Sequence, residues 1–215
     1  GNCPFCGAPR EKFITAEECS RKYRVKESPV TSKVSQLITS PRLGYEHAAY
    51  RIKTGSKVFW IDCPSCFDNT LEPVDIITFT HHHFLGASNL YQAKIPCTVQ
   101  INQLDEKHPL VNQFTFDHTF QGDFIDTGLI VYHIGGHTPG FTIYIYDHTL
   151  FLCDYVFSKG DSMRFNPYGP QQETRNNAQR IWEIAESNHI NIVCGYRHVE
   201  KYREWRDKFY DLLRE

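Results

Sequence analysis

Long apolar runs are missing from this 215-residue chain, and so is any excess of charge of one sign. No segment approaches the roughly 20 consecutive apolar residues that cross a bilayer as a helix. Net charge is only −2, without the basic face that a general nucleic-acid binder presents. The opening residues, Gly1-Asn2-Cys3-Pro4-Phe5, lack the apolar stretch of a secretory signal. No internal repeat is evident. What is left is a length that suits one sizeable α/β domain with a substantial core and a small appendage.

Cysteine is not scarce: there are eight. Their spacing favours metal over disulfides, because Cys3-Pro4-Phe5-Cys6 and Cys63-Pro64-Ser65-Cys66 are two C-P-x-C knuckles. Such knuckles direct two sulfurs at one ion, so Cys3, Cys6, Cys63 and Cys66 are a candidate four-thiolate site for Zn or Fe. Two alternatives stay open. Cys19 can take a place in that site, or Cys63 and Cys66 can lie near the histidines described next and do redox chemistry. Cys97, Cys153 and Cys194 fall in apolar strands and read as buried, inert thiols. So many unpaired cysteines suggest a reducing compartment, with the cytoplasm as the expected location.

The main chemical signal is Thr80-His81-His82-His83-Phe84-Leu85-Gly86, which follows the β-branched run Asp75-Ile76-Ile77-Thr78-Phe79. A strand ending in histidines puts imidazoles at a sheet rim, and His81 and His83 project to one side while the chain stays extended. Two neutral imidazoles converging on one point begin a zinc or iron site. A second strand, residues 129–134, empties into Gly135-Gly136-His137-Thr138-Pro139-Gly140, and a third, Leu150-Phe151-Leu152-Cys153, ends in Asp154. Three strand ends thus offer His81, His83, His137 and Asp154 to one divalent ion, with a position open for water.

The order of THHH, GGHTPG and LFLCD resembles the metallo-β-lactamase-fold hydrolases over roughly residues 45–196. The resemblance implies a four-layer αββα sandwich for residues 44–215, with residues 1–43 as a CPxC-bearing extension. It also implies first-metal ligands at His81, His83 and His137 and a bridging carboxylate at Asp154. That family's first motif, T-H-x-H-x-D-H, meets Leu85 and Gly86 here, and its late strand-end histidine meets Tyr196. The implied centre is therefore mononuclear. Residues 3–13 are similar to the second knuckle of rubredoxins, which carries over a thiolate metal site but no electron transfer.

Elsewhere the patterns predict a short strand at 21–25 and a hairpin of 48–52 with 57–61. A short helix is expected at 87–93 with Ser88 as its cap, and a strand at 95–101. Residues 102–123 should wrap the outside, with His108 and His118 as structural residues, as is His47. A hairpin at 141–152 turns at Asp147-His148. Residues 158–172 form a loop offering Arg164, Asn166 and Tyr168 as a lid or substrate wall. Helices are expected at 174–187, capped by Thr174, and at 201–213, with Arg197 to Glu200 starting the second and His198 spent there.

The expected function is a metal-dependent hydrolase acting on a small molecule, with Zn or Fe at the histidine site activating water for ester, thioester or amide hydrolysis. Asp154 would orient or deprotonate that water, and Tyr196 would donate to the developing oxyanion. The alternatives are an iron-dependent thiol or persulfide oxidoreductase and a non-catalytic metal-binding relative.

Overall fold

Alternation along each strand decides which layer its side chains enter. The computed structural model describes residues 8–215, and its first sheet contains seven strands in sequence order. Helix α1 (Ala16–Lys22) precedes β1 (Arg24–Pro29), β2 (Val34–Ser40), β3 (Ala49–Lys53) and β4 (Val58–Ile61), which pair antiparallel. From β4 onward, β5 (Ile76–Thr78), β6 (Thr98–Asn102) and β7 (His118–Phe120) add in parallel. Parallel neighbours need a crossover, and the one from β5 to β6 carries the histidine cluster and helix α2 (Ser88–Lys94). Helix α3 (Gln103–Glu106) follows β6 directly.

The second sheet is built from β8 (Phe124–Asp126), β9 (Leu129–His133), β10 (Thr142–Tyr146) and β11 (Thr149–Cys153). A separate hairpin, β12 (Val156–Lys159) and β13 (Ser162–Phe165), leads to helix α4 (Gln171–Ser187). Strand β14 (Ile192–Gly195) then joins β11 in parallel, β15 (Val199–Lys201) forms the edge, and α5 (Tyr202–Leu213) follows.

Tyr50, Ile52, Phe59 and Ile61 of the first sheet face Val131, Tyr144 and Phe151 of the second and form the inner core. Their strand neighbours Ala49 and Trp60 point the other way, into a layer with Tyr91 of α2. Ile143, Ile145, Leu150, Leu152 and Val193 likewise face outward, under Ala178, Ile181 and Ala185 of α4 and Trp205 and Phe209 of α5. A period of two feeding two apolar environments requires four layers, helix on sheet on sheet on helix. The expected αββα sandwich is the fold found.

Several local expectations change. Helix α4 begins at Gln171, and Thr174 sits inside it, its hydroxyl donating to the Pro170 carbonyl. Ser88 is the first residue of α2 and not its cap, since Ala87 precedes the helix without a side-chain bond. Arg197 to Glu200 does not start the last helix, because residues 199–201 pair with β14 as an edge strand. The described part of the 1–43 extension is continuous with the first sheet, β2 pairing with β3 over Val34–Leu37. Among the described residues no helix is long and apolar enough to cross a membrane.

Phe151 is buried where the two sheets meet. Phe151→Ala should cost about 3–5 kcal/mol of stability, read as a lower denaturation midpoint in urea. A loss under about 1 kcal/mol would contradict its place in the inner core.

Candidate metal centre

Two loops and one strand end build the centre, and each is shaped by a backbone feature. After β5 the chain stays extended through His81 (φ −169°, ψ 175°) and then tightens into a one-turn 3-10 helix, His82–Phe84. That turn, and not strand pleating as expected from spacing, sets His81 and His83 side by side with ring centroids 4.6 Å apart. After β9 the chain passes through Gly135 and Gly136 at positive φ. A Cβ on Gly136 would meet the Tyr155 hydroxyl at 2.6 Å, so only glycine lets the loop pass and display His137. At the end of β11 the register against β14 shifts between Phe151 and Cys153, and Cys153 adopts φ +48°. This left-handed kink, costly for a side-chain-bearing residue, turns Asp154 toward the histidines.

The donor atoms of His81, His83 and His137 all lie within 4.8 Å of one another. Among the described residues they are the one group of three or more such side chains arranged to hold a metal. Hydrogen bonds fix how two of them present themselves. The Thr80 hydroxyl gives its proton to Asp62, so at 3.0 Å it accepts from His81 Nδ1. His137 Nδ1 donates to the Tyr168 carbonyl at 3.0 Å. Both rings therefore offer the Nε2 lone pair inward.

His81 Nε2 then faces Asp154 Oδ1 at 3.5 Å, and neither buried atom has a hydrogen-bond partner. Two acceptors facing each other in a dry site call for a cation between them. The residues thus fit a divalent ion. Burial, reinforced by His83 and His137, pushes the His81 imidazolium well below its ordinary range, and burial with His82 takes His83 down to about 2. His81 and His83 thus stay neutral, as ligands must be. Burial raises the Asp154 carboxyl, against the lowering influence of His137.

Asn166, Tyr168 and Asp62 support the arrangement. Asn166 is fully buried, and its amide donates to Asp154 Oδ2 at 2.8 Å and lies 3.3 Å from His137 Nε2. It belongs to the centre itself, whereas the loop pattern suggested a lid contact. Tyr168 contributes its carbonyl, and Arg164 lies over the Phe157 ring, 5.9 Å away. Asp62, at φ +60° just past β4, receives the Thr80 amide and hydroxyl, and burial raises its carboxyl to about 7. Sequence reasoning missed Asp62, although an acid directly after the apolar strand Val58–Ile61 repeats the pattern that exposed Asp154. It missed Asp105 as well, which is fully buried although residues 102–123 were expected to wrap the outside.

Tyr196 packs against Phe84 and Phe157, and its hydroxyl donates to the Tyr45 carbonyl. Cys3 and Cys6 lie outside the described residues. Cys63 and Cys66 are fully buried, Cys66 lies beside Cys19, and the Ala87 amide next to Cys63 donates to the Pro64 carbonyl at 2.8 Å. Cys19, Cys63 and Cys66 do not converge as a three-ligand group. His198 bonds Glu200 at 3.1 Å, away from the centre.

No protein-family model matches the chain. Solved structures match it closely in shape. VMB-1 superposes with a TM-score of 0.71 at 18% identity, covering 88% of this chain and 96% of its own. A metallo-β-lactamase from Pontibacter korlensis gives 0.67 at 16% identity, with 87% and 100% covered. The chain has the metallo-β-lactamase fold. FIM-1 from Pseudomonas aeruginosa, solved in a mono-zinc form, gives 0.69 at 13% identity over 89% and 95%. Among curated proteins, a hydroxyacylglutathione hydrolase of Aliivibrio fischeri (strain MJ11) is 24% identical over 139 residues. That stretch is 63% of this chain and 52% of the relative, so the match spans about half the relative's length.

Within this metallo-β-lactamase fold, the positions expected to serve a second metal are structurally committed elsewhere. Leu85 is buried in the outer core of the first sheet. Gly86 sits at φ +52°, and a Cβ there would lie 2.3 Å from the Cys63 carbonyl oxygen. A histidine placed at this position has no room. Gly86→His should lose more than about 2 kcal/mol of stability without gaining a second metal, as denaturation and metal analysis would read.

His47 is buried, stacked on Phe84, and paired through Nε2 with the Cys63 carbonyl at 2.9 Å. Burial lowers it from 6.5 to about 4. The unfolded chain takes up this proton more readily, so the residue's contribution is complete above about 6.5 and fades as pH falls through about 4. Between pH 7 and pH 4 the wild type should lose about 3 kcal/mol relative to a His47→Gln variant. Paired denaturation curves with a pH-independent gap would refute this.

Proposed function

We propose that the chain is a mononuclear metal-dependent hydrolase. One observation carries the reading: His81 Nε2 and Asp154 Oδ1 face each other without a partner, beside two further inward-directed imidazoles. His81, His83 and His137 hold the ion, with Asp154 beside them, and zinc is the first candidate with iron the second. When bound, such an ion supplies Lewis acidity and a hydroxide-like nucleophile near neutral pH.

The chain's own residues do the rest. Asn166 occupies Asp154 Oδ2, which leaves Oδ1 to orient an attacking water and take its proton. Thr80 and Asp62 keep the His81 proton on Nδ1, and the Tyr168 carbonyl does the same for His137. Tyr196 is assigned to the developing oxyanion, which requires its hydroxyl to leave the Tyr45 carbonyl. Buried Leu85, the cramped Gly86 and Tyr196 favour one metal over two. The substrate class is an ester, thioester or amide of a small molecule, and the name of the curated relative supports a hydrolase.

The test combines metal analysis of protein purified without added metal with turnover of general ester and thioester substrates. His137→Ala should remove both metal and turnover. Asp154→Asn should retain the fold and lower kcat by roughly 10²–10⁴-fold. Turnover persisting in metal-free His137→Ala protein would refute the assignment, and a coloured, iron-loaded protein would shift it to the redox alternative.

A further inference from the structure

The ligand-bearing loops come from different sheets: His81 and His83 follow β5, and His137 follows β9. Something must hold the loops against each other, because strand pairing in each sheet ends before the ligands begin. Asp105 lies between them. The Asn102 side chain accepts from the Leu104 amide at 3.0 Å and turns the end of β6 into α3, which carries Asp105 inward to full burial.

One carboxylate there serves both loops. Oδ2 accepts the His82 amide at 3.0 Å, from between the two ligands of the first loop. The same oxygen accepts the Thr138 hydroxyl at 2.9 Å, from the residue after His137. Oδ1 accepts the Gly140 amide at 2.7 Å. The fit is close, since a Cβ on Gly140 would stand 2.8 Å from the Asp105 carboxyl carbon. No other acidic residue in the described chain takes backbone amides from both ligand loops.

We propose that Asp105 is a positioning residue that sets the separation of the His81–His83 and His137 loops, and so tunes the centre's affinity for its ion. This rests on the metal-centre reading above. Outer residues of this kind are worth about 10–100-fold in metal affinity when altered. Asp105→Asn keeps the size of the side chain but gives up one of the two acceptor oxygens, so one loop must shift.

The experiment titrates apo-protein with Zn²⁺ and with Co²⁺ against a competing chelator and records the visible spectrum of the Co²⁺ form. The variants are Asp105→Asn, Thr138→Val and Asp117→Asn. Asp117 is the control: it also accepts an amide beside β6, from Val99 at 2.8 Å, but touches neither loop. Expected is a 10–100-fold weaker affinity and an altered Co²⁺ spectrum for folded Asp105→Asn. A smaller weakening of the same sign is expected for Thr138→Val, and none for Asp117→Asn. If Asp105→Asn does not fold, Thr138→Val decides alone. Affinity within about twofold of the unaltered chain, with an unchanged spectrum, overturns the role of Asp105 while leaving the metal centre standing. Failure of the unaltered chain to bind either ion overturns both.

Discussion

Two lone pairs aimed at each other in a dry site are the constraint on which this molecule turns. His81 Nε2 and Asp154 Oδ1 approach to 3.5 Å, and neither has a hydrogen-bond partner. In water such a contact is trivial, but buried acceptors that face one another repel and go unsolvated. The surrounding hydrogen bonds preserve the arrangement. Thr80 and Asp62 keep the His81 proton on the outer nitrogen, and Asn166 occupies the other Asp154 oxygen. The arrangement thereby suits positive charge, and a divalent ion would satisfy it.

Holding that position requires two sheets to deliver their ends to one rim. Tyr50, Phe59, Tyr144 and Phe151 fill the space between the sheets. Polar cross-links then tie the layers near the centre: the Thr142 amide donates to the Thr80 carbonyl at 2.8 Å, and the Tyr144 hydroxyl to the Phe79 carbonyl at 2.7 Å. The backbone departs from ideal geometry where it must aim a side chain. Asp62 and Cys153 both take positive φ at strand ends, and each kink places a carboxylate at the rim. Strain of this kind persists only where surrounding packing over-determines it, and here both residues are almost wholly buried.

The same economy accounts for the chain's departures from a two-metal arrangement. The positions that resemblance assigns to a second ion are built into packing. Leu85 joins the outer core, Gly86 allows the Cys63-Pro64 backbone to pass at contact distance, and Tyr196 packs on Phe84 and Phe157. None of these can be restored by one substitution without moving its neighbours. The commitment of these three positions to packing is therefore a property of the whole rim.

Hydrophobic alternation in Ala48–Ile52, Val58–Ile61 and Phe141–Leu152, with the helical spacing of Ala178, Ile181 and Ala185, marked strands and a helix from sequence alone, while the four layers followed from the resemblance of THHH, GGHTPG and LFLCD to the metallo-β-lactamase-fold hydrolases. Burial on two faces leaves a period-two pattern few other solutions. The identity of His81, His83, His137 and Asp154 was equally legible, because each stands at the end of an apolar run. What tertiary structure alone decided was how those residues meet. The 3-10 turn at His82, the kink at Cys153, the arrival of Asn166 from a loop and of Asp105 from a polar segment all depend on contacts between residues distant in the chain. Local propensity does not encode such contacts, since a buried hydrogen bond takes its value from which partner arrives and from how much water is excluded.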